Sequence, residues 1–307
     1  MIHFLRLIRI TNLLIISLTM IGVSIFVFNN NSYQKIDFNA LDFGLLVFST
    51  VIIAAAGNMI NDYFDVKADR INKPQKLIIT KYMKKRWAIV LHWALNIVAV
   101  LISIYLSIKY GSLLFIFIHI LSMNLLWFYS TYFKKKLFIG NFMIAALTAT
   151  VPLLAIWFFK ILNESSLTYN PFHSATWSTK LNYSFIYFLT LCAFLQNLAR
   201  EISKDIQDIS GDKVIDVYSI PMKFGVRKTG FLVASILQLP IFVWLFFKFE
   251  FNLDYNSISL IFLFTSALIN LSCMVLILSK KNYPFKTVNG LMKWSMLIGL
   301  ITLYINY

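Results

Sequence analysis

Asp62, Asp65 and Asp69 stand at steps of three and four residues, and Asp205, Asp208 and Asp212 repeat those steps in the second half of the chain. Glu201 precedes the second set by a further step of four, and Arg70 and Lys213 each follow the last aspartate of a set. On a helix these steps bring the side chains onto one face. Like charges collected on one face repel, so packing alone gives no reason to gather them. A set of carboxylate oxygens suits Mg2+, which keeps some waters and commonly binds substrate phosphates. Two facing sets could hold two or more Mg2+ ions against a diphosphate, neutralising its charge and stabilising it as a leaving group. Asn61 adds a neutral oxygen beside the first set. The plainer reading is an acidic helix end in water, since carboxylates are favourable near helix N-termini. The matched pair speaks against that reading.

Basic and amide residues extend both sets. Lys204 lies inside the second set, where its neighbours would otherwise be uncompensated acids, and Arg200 precedes it by one turn. Lys134, Lys135 and Lys136 form a short loop on the same expected side. Any of these could hold diphosphate oxygens, arginine by a bidentate contact and lysine as a point charge. For the lysine run, membrane topology is the stronger explanation of the charge. Arg9 and Asn12 lie three apart where the chain enters its first apolar run. They line the same site, or they snorkel and cap.

What must position these residues is a membrane bundle. Of 307 residues, 59% are hydrophobic and 13% charged, whereas a soluble domain carries about 25% charged residues. Runs of roughly 17 to 25 apolar residues each span a bilayer as a helix. Nine such runs fall near 10–28, 42–60, 87–107, 111–129, 138–158, 181–199, 229–248, 256–278 and 289–306. The third and fourth are joined by a short Lys-Tyr-Gly turn and are expected to form a hairpin. The first resembles a signal peptide in position, but its apolar run is long and no small-residue cleavage site follows, so it is expected to be a retained helix. The expected class is all-α and polytopic, with one domain over residues 1–307.

The formal charge of +15 invites a nucleic-acid partner, but its placement argues otherwise. With nine spans, segments 1–9, 61–86, 130–137, 200–228 and 279–288 share one side. Together with Lys293, that side carries all but five of the 28 Lys and Arg residues, the exceptions being Lys35, Lys109, Lys160, Lys180 and Lys248. The positive-inside rule then predicts a multi-pass protein of the cell inner membrane, with its N-terminus and both aspartate sets cytoplasmic. The charge also suits anionic lipid headgroups or a phosphorylated substrate. Cys192 and Cys273 lie within spans and are expected as small buried groups without a disulfide. His92 and His119 also fall in spans, where packing or a helix–helix hydrogen bond explains them. The aromatic residues are expected mainly at lipid-facing surfaces and interfacial belts. A transporter or channel is the main non-enzymatic alternative, since ionisable groups in spans mark transport paths. Such a path would place polar groups at mid-membrane or on both sides, whereas both carboxylate sets share one side.

The residues also resemble the UbiA-type intramembrane prenyltransferases. That family's first hallmark, N-D-x-x-D-x-x-x-D, is matched by Asn61, Asp62, Asp65 and Asp69. Its second aspartate-rich region resembles residues 200–213, with Lys204, Asp205, Asp208, Gly211 and Asp212 in place. Tyr129, Lys134, Gly140 and Asn141 match its segment between the fourth and fifth spans, and residues 9–12 resemble its opening R-P-x-N with Ile10 replacing proline. The stretch 74–83 departs from the R-P-I-x-x-G-like continuation seen in many relatives, leaving the candidate metal ligands intact.

The resemblance covers nearly the whole chain. It implies nine helices around a central cavity capped by polar loops, and Mg2+ held by both aspartate motifs. It also implies transfer of a prenyl chain from an isoprenyl diphosphate. Within the family, the acidic segments look most like the branch that transfers geranylgeranyl to the free hydroxyl of geranylgeranylglyceryl phosphate. The alternative acceptor is an aromatic quinone precursor such as 4-hydroxybenzoate or dihydroxynaphthoate. Expected partners are therefore the diphosphate, a lipid-phosphate or aromatic acceptor, and membrane lipids, with no nucleic acid and no obligate protein partner evident.

Overall fold

Backbone groups surrounded by hydrocarbon must be satisfied within helices or closed barrels, and these apolar runs are satisfied as helices. The computed structural model describes residues 2–30, 38–168, 183–251, 256–279 and 284–305. Short helix α1 (Ile2–Leu7) leads into α2 (Ile10–Asn30), followed by α3 (Ala40–Phe64) and short α4 (Val66–Asn72). Next come α5 (Lys85–Lys109), α6 (Leu114–Thr131), α7 (Ile139–Thr168) and α8 (Ser184–Asp212). Short α9 (Ile220–Phe224) precedes α10 (Val226–Phe251), α11 (Ser257–Ser279) and α12 (Phe285–Ile305). Among the described residues, nine of these helices are long and apolar enough to cross a membrane, and no β-strand forms. The chain is an all-α polytopic membrane protein.

The long helices form a ring. α3 packs on α2, α5 and α6; α7 packs on α8; α8 packs on α10 and α12; and α11 packs on α10 and α12. The first and last long helices close it, α2 lying on α12. A Cβ at Gly22 would meet the Tyr304 ring at 2.9 Å, so glycine permits that approach. The expected hairpin is present: α5 ends at Lys109, Gly111 turns at φ 62° and α6 starts at Leu114.

Two helices outrun their apolar runs. α3 continues through Asp62, and α8 continues to Asp212, where Arg9 meets Asp62 and Asn141 meets Asp205 from other elements. The opposite end of the bundle is filled by rings. Phe26, Phe43, Phe115, Phe158, Phe159 and Phe185 are buried in one cluster, so many aromatics sit inside the bundle instead of facing lipid. Beside them, the buried Asp42 carboxylate is met by Lys109 Nζ at 2.6 Å, Tyr110 Oη at 2.6 Å and Tyr105 Oη at 3.0 Å. Sequence reading passed over Asp42 because it begins a span, where a single acid resembles a boundary residue.

The other singled-out polar residues tie helices together. His92 Nδ1 donates to the Ala56 carbonyl at 2.9 Å, and His119 Nε2 lies 2.7 Å from Ser49 Oγ. Both are helix–helix contacts of the kind expected. Cys192 and Cys273 are free thiols. Lys35, Lys180, Lys280 and Lys281 lie outside the described residues.

Candidate active site

The ring encloses a cavity of ≈ 1520 Å³, whose polar mouth carries both aspartate motifs and whose depth is largely apolar. Pockets for drug-sized ligands run about 300–1,000 Å³, so this one has room for more than one such molecule.

The first motif bends. α3 ends at Phe64, Asp65 occupies the junction at φ −81° and ψ −2°, and α4 begins at Val66. Helical hydrogen bonds persist through the bend, from Asp65 N to Asn61 O at 2.9 Å and from Asp69 N to Asp65 O at 2.8 Å. The bend lays α4 across the mouth and onto α8. Asn72 fastens it there: its Nδ2 donates to the Asp208 carbonyl at 2.9 Å, and its Oδ1 accepts from Gly211 N at 2.7 Å. A Cβ on Gly211 would sit 2.4 Å from Asn72 Nδ2 and 2.7 Å from the Ala68 carbonyl. Glycine in the second motif is thus a packing requirement imposed by the first.

The carboxylates are met by cations and amides from separate elements. Arg9, at φ 56° in the left-handed region between α1 and α2, donates to Asp62 at 2.8 Å. A side chain held in that region stores backbone strain, which surrounding structure must over-determine. Asn12, one turn into α2, lines the cavity below it. Lys134 Nζ reaches Asp65 at 2.5 Å, and Asn61 Nδ2 donates to the same oxygen at 2.9 Å. Asn141 Nδ2 donates to Asp205 at 2.8 Å, and Lys73 Nζ donates to Asp208 at 2.7 Å. Asp69 and Asp212, the last of each set, line the cavity, and among the described residues their carboxylates make no side-chain hydrogen bond or ion pair.

Of the lysine run, Lys134 alone turns inward; Lys135 and Lys136 are exposed, with Lys136 over the Tyr132 ring at 4.8 Å. Gly140 lets that loop rest against α7, since a Cβ there would lie 3.1 Å from the Phe133 carbonyl. Lys204 does not answer the second motif. It bonds Glu201, as does Arg200 at a looser 4.0 Å. Sequence reading missed Asn72 and Lys73, although they follow Asp69 by three and four residues and so continue its helical face.

Electrostatics reflects this crowding. Burial, then the neighbouring Asp65 and Asp62, pushes the Asp69 carboxyl up to about 6. Burial opposes the Lys134 charge, but Asp65, Tyr129 and Asp212 outweigh it and hold the ammonium above its usual range. One cation therefore stands between the two motifs.

That arrangement tests the fit of Mg2+. Among the described residues, no three His, Cys, Asp or Glu side chains converge into a ready cage. Mg2+ does not need one, because it usually takes one or two carboxylates with waters and substrate phosphates. The aspartates and Asn61 present oxygen donors at the mouth, and among the described residues Asn61 Oδ1 and Asp208 Oδ1 are buried without a hydrogen-bond partner. Together with unpaired Asp69 and Asp212, they fit a hard divalent ion.

A ring of nine long helices among the described residues, with two aspartate motifs at one mouth, defines an intramembrane prenyltransferase fold. The UbiA prenyltransferase family model matches residues 13–297, and the chain belongs to that family. Digeranylgeranylglyceryl phosphate synthase of Thermococcus sibiricus is 33% identical over 206 residues, covering 64% of this chain and 64% of that relative. The chain thus spans just under two thirds of that relative's length. The synthase of Methanosarcina mazei is 29% identical over 266 residues, covering 86% of this chain and 82% of the relative. A solved structure of digeranylgeranylglyceryl phosphate synthase matches with a TM-score of 0.66 at 26% identity, covering 99% of this chain and 97% of that one. A UbiA homolog from Archaeoglobus fulgidus, solved with DMAPP and Mg2+, shares the fold with a TM-score of 0.59 at 14% identity, over 98% and 99% of the chains.

Proposed function

We propose that this chain catalyses Mg2+-dependent transfer of geranylgeranyl from its diphosphate to the free hydroxyl of geranylgeranylglyceryl phosphate. The observation that carries the prenyltransferase reading is the meeting of both aspartate motifs over one large apolar cavity. A transporter would have little use for two facing oxygen clusters at the same end. The similarity to digeranylgeranylglyceryl phosphate synthases supports the acceptor.

Asp62, Asp65, Asp69, Asp205, Asp208, Asp212 and Asn61 are the proposed metal-facing residues. Bound there, Mg2+ supplies neutralising charge to the diphosphate oxygens and to pyrophosphate as it leaves. Lys134 and Lys73 already contact motif carboxylates, and they exchange those partners for diphosphate oxygens when the donor arrives. Arg9 and Asn141 hold Asp62 and Asp205 in position. The apolar wall excludes water from the allylic carbon. There the C1–O bond breaks with its electron pair leaving on pyrophosphate, the acceptor oxygen bonds C1, and the hydroxyl proton passes to an oxygen of the departing pyrophosphate. Charge stabilised more strongly in the transition state than in the bound substrate supplies the rate.

The test is incubation of purified protein in vesicles with Mg2+, labelled geranylgeranyl diphosphate and each acceptor class separately. A product of the mass of digeranylgeranylglyceryl phosphate is expected. Prenylated 4-hydroxybenzoate or dihydroxynaphthoate, with no product from the glyceryl phosphate, would overturn the acceptor and leave the prenyl transfer. For orientation, we propose a cytoplasmic motif end, supported by the Lys and Arg asymmetry. Lys67→Cys and Lys213→Cys, both at exposed positions, should label only from the cytoplasmic side.

A further inference from the structure

The cations at the mouth divide into two groups. Arg9, Lys73 and Lys134 each bond a motif aspartate. Arg200 bonds none. Its side chain is 14% exposed and, among the described residues, its one ion-pair contact is Glu201 at 4.0 Å, a carboxylate that Lys204 already holds more closely. Among the described residues, no hydrogen bond engages its five donors. A largely buried charged side chain left this way is costly. Its planar fork matches a phosphate or carboxylate bidentately.

Helix geometry turns Arg200 away from the motif. At 100° per residue, Arg200 lies about 80° around α8 from Asp208 and about 12 Å deeper along it. It shares a stripe with Gln196, one turn further in, whose Nε2 donates to Ser295 on α12 at 3.1 Å. Asp205 lies on the other flank, bonded to Asn141 on α7. Thus α8 presents the aspartates toward α4 and α7 and Arg200 toward α12.

The facing wall is polar at that depth. Ser266 on α11 and Ser295 on α12 bond each other at 2.7 Å, and Cys273 packs at Val288, so α11 and α12 run antiparallel in register. Between those levels stand Asn270 and, on α12, Asn289 and Lys293 one turn apart, all lining the cavity. Among the described residues, the Asn270 and Asn289 Oδ1 atoms are buried without hydrogen-bond partners. Lysine within a membrane helix is expensive and faces an interior or a cavity when present. Deeper on this wall the lining becomes apolar, with Trp244, Leu263, Phe264, Leu297 and Leu300.

We propose that Arg200 and Lys293, with the amides of Asn270 and Asn289, form a second anion subsite that takes the phosphomonoester of the acceptor lipid. Its hydrocarbon then lies along the α10–α12 wall. This rests on the glyceryl phosphate reading above and deepens it. The donor diphosphate stays with Lys73 and Lys134, so the two substrates approach from different flanks of α8.

The test uses purified protein in phosphatidylcholine vesicles, varying each substrate against saturating amounts of the other. Arg200→Gln should raise KM for geranylgeranylglyceryl phosphate about tenfold or more, the loss expected of a charge-assisted contact. KM for geranylgeranyl diphosphate should change less than about twofold, within the uncertainty of noncontacting substitutions. Arg200→Lys should recover part of the loss, and Lys293→Gln should shift the same constant in the same direction. Wild type should prefer the phosphorylated acceptor over geranylgeranylglycerol, and Arg200→Gln should erase most of that preference. A raised donor KM, or an unchanged acceptor preference in both folded glutamine variants, overturns the subsite while wild-type activity keeps the function. Wild type inactive on glyceryl phosphate defeats the function reading itself. Added phosphatidic acid, itself a lipid phosphomonoester, should compete weakly with the acceptor in wild type and lose that effect in Arg200→Gln; inhibition undiminished in Arg200→Gln overturns the subsite.

Discussion

The two aspartate motifs have one spacing and two backbones. The second lies on the uninterrupted helix α8, whereas the first bends at Asp65 and continues on α4. The bend costs little hydrogen bonding, because the Asn61–Asp65 and Asp65–Asp69 backbone bonds persist. Its consequence is large: α4 crosses the mouth and Asn72 grips α8 at Asp208 and Gly211. A straight helix cannot both line a cavity and cover it. The straight motif supplies the wall, and the bent one supplies the cap.

The comparison breaks most completely if the two motifs do not share one ion-binding function. Removing divalent metal with a chelator should abolish prenyl transfer, and Mg2+ should restore it. Asp65→Asn and Asp208→Asn should each then lower kcat by about a hundredfold or more, on the scale of losing a buried electrostatic stabiliser. Circular dichroism should be unchanged in both. Near-full activity in either variant would separate its motif from the chemistry.

A smaller effect is expected at the central cation. Lys134→Ala leaves Asp65 without its ammonium and should cost roughly ten- to a hundredfold in kcat/KM, as one charge-assisted contact does. The cap itself is tested next. Gly211→Ala must move Asn72 or α4, costing about 1–3 kcal/mol as overpacking does, seen as a lower Tm. Donor KM should rise with it, because Asp69 shifts relative to Asp212. Unchanged Tm and KM would show that α4 is not held by this contact.

The smallest effect is expected at Lys73→Ala. Its pair with Asp208 is partly exposed, at 28% and 22%, and such pairs contribute about 0–1 kcal/mol. Thermal stability should barely move, while donor KM rises a few-fold. A loss as large as that of Lys134→Ala would mean that the two motifs are more alike than their backbones suggest.

Hydrophobic run length determined the number and order of the long helices, because a bilayer accepts few other ways of satisfying a backbone. Residue spacing likewise determined that each aspartate set shares a face, since helical periodicity is local. Long-range partners were not legible in that way. Arg9 for Asp62, Lys134 for Asp65, Asn141 for Asp205 and Lys73 for Asp208 are each separated by more than fifty residues. Lys204 stands out in the sequence because the acids around it would otherwise be uncompensated, and the fold shows which of them it meets, Glu201 one turn back on the same helix. The aromatic plug and the Asp42 cluster also escaped, because apolar composition does not say which rings face lipid and which face the bundle. Local periodicity thus chose the faces. Only the closed ring, which carries distant segments to one mouth, decided which charge meets which.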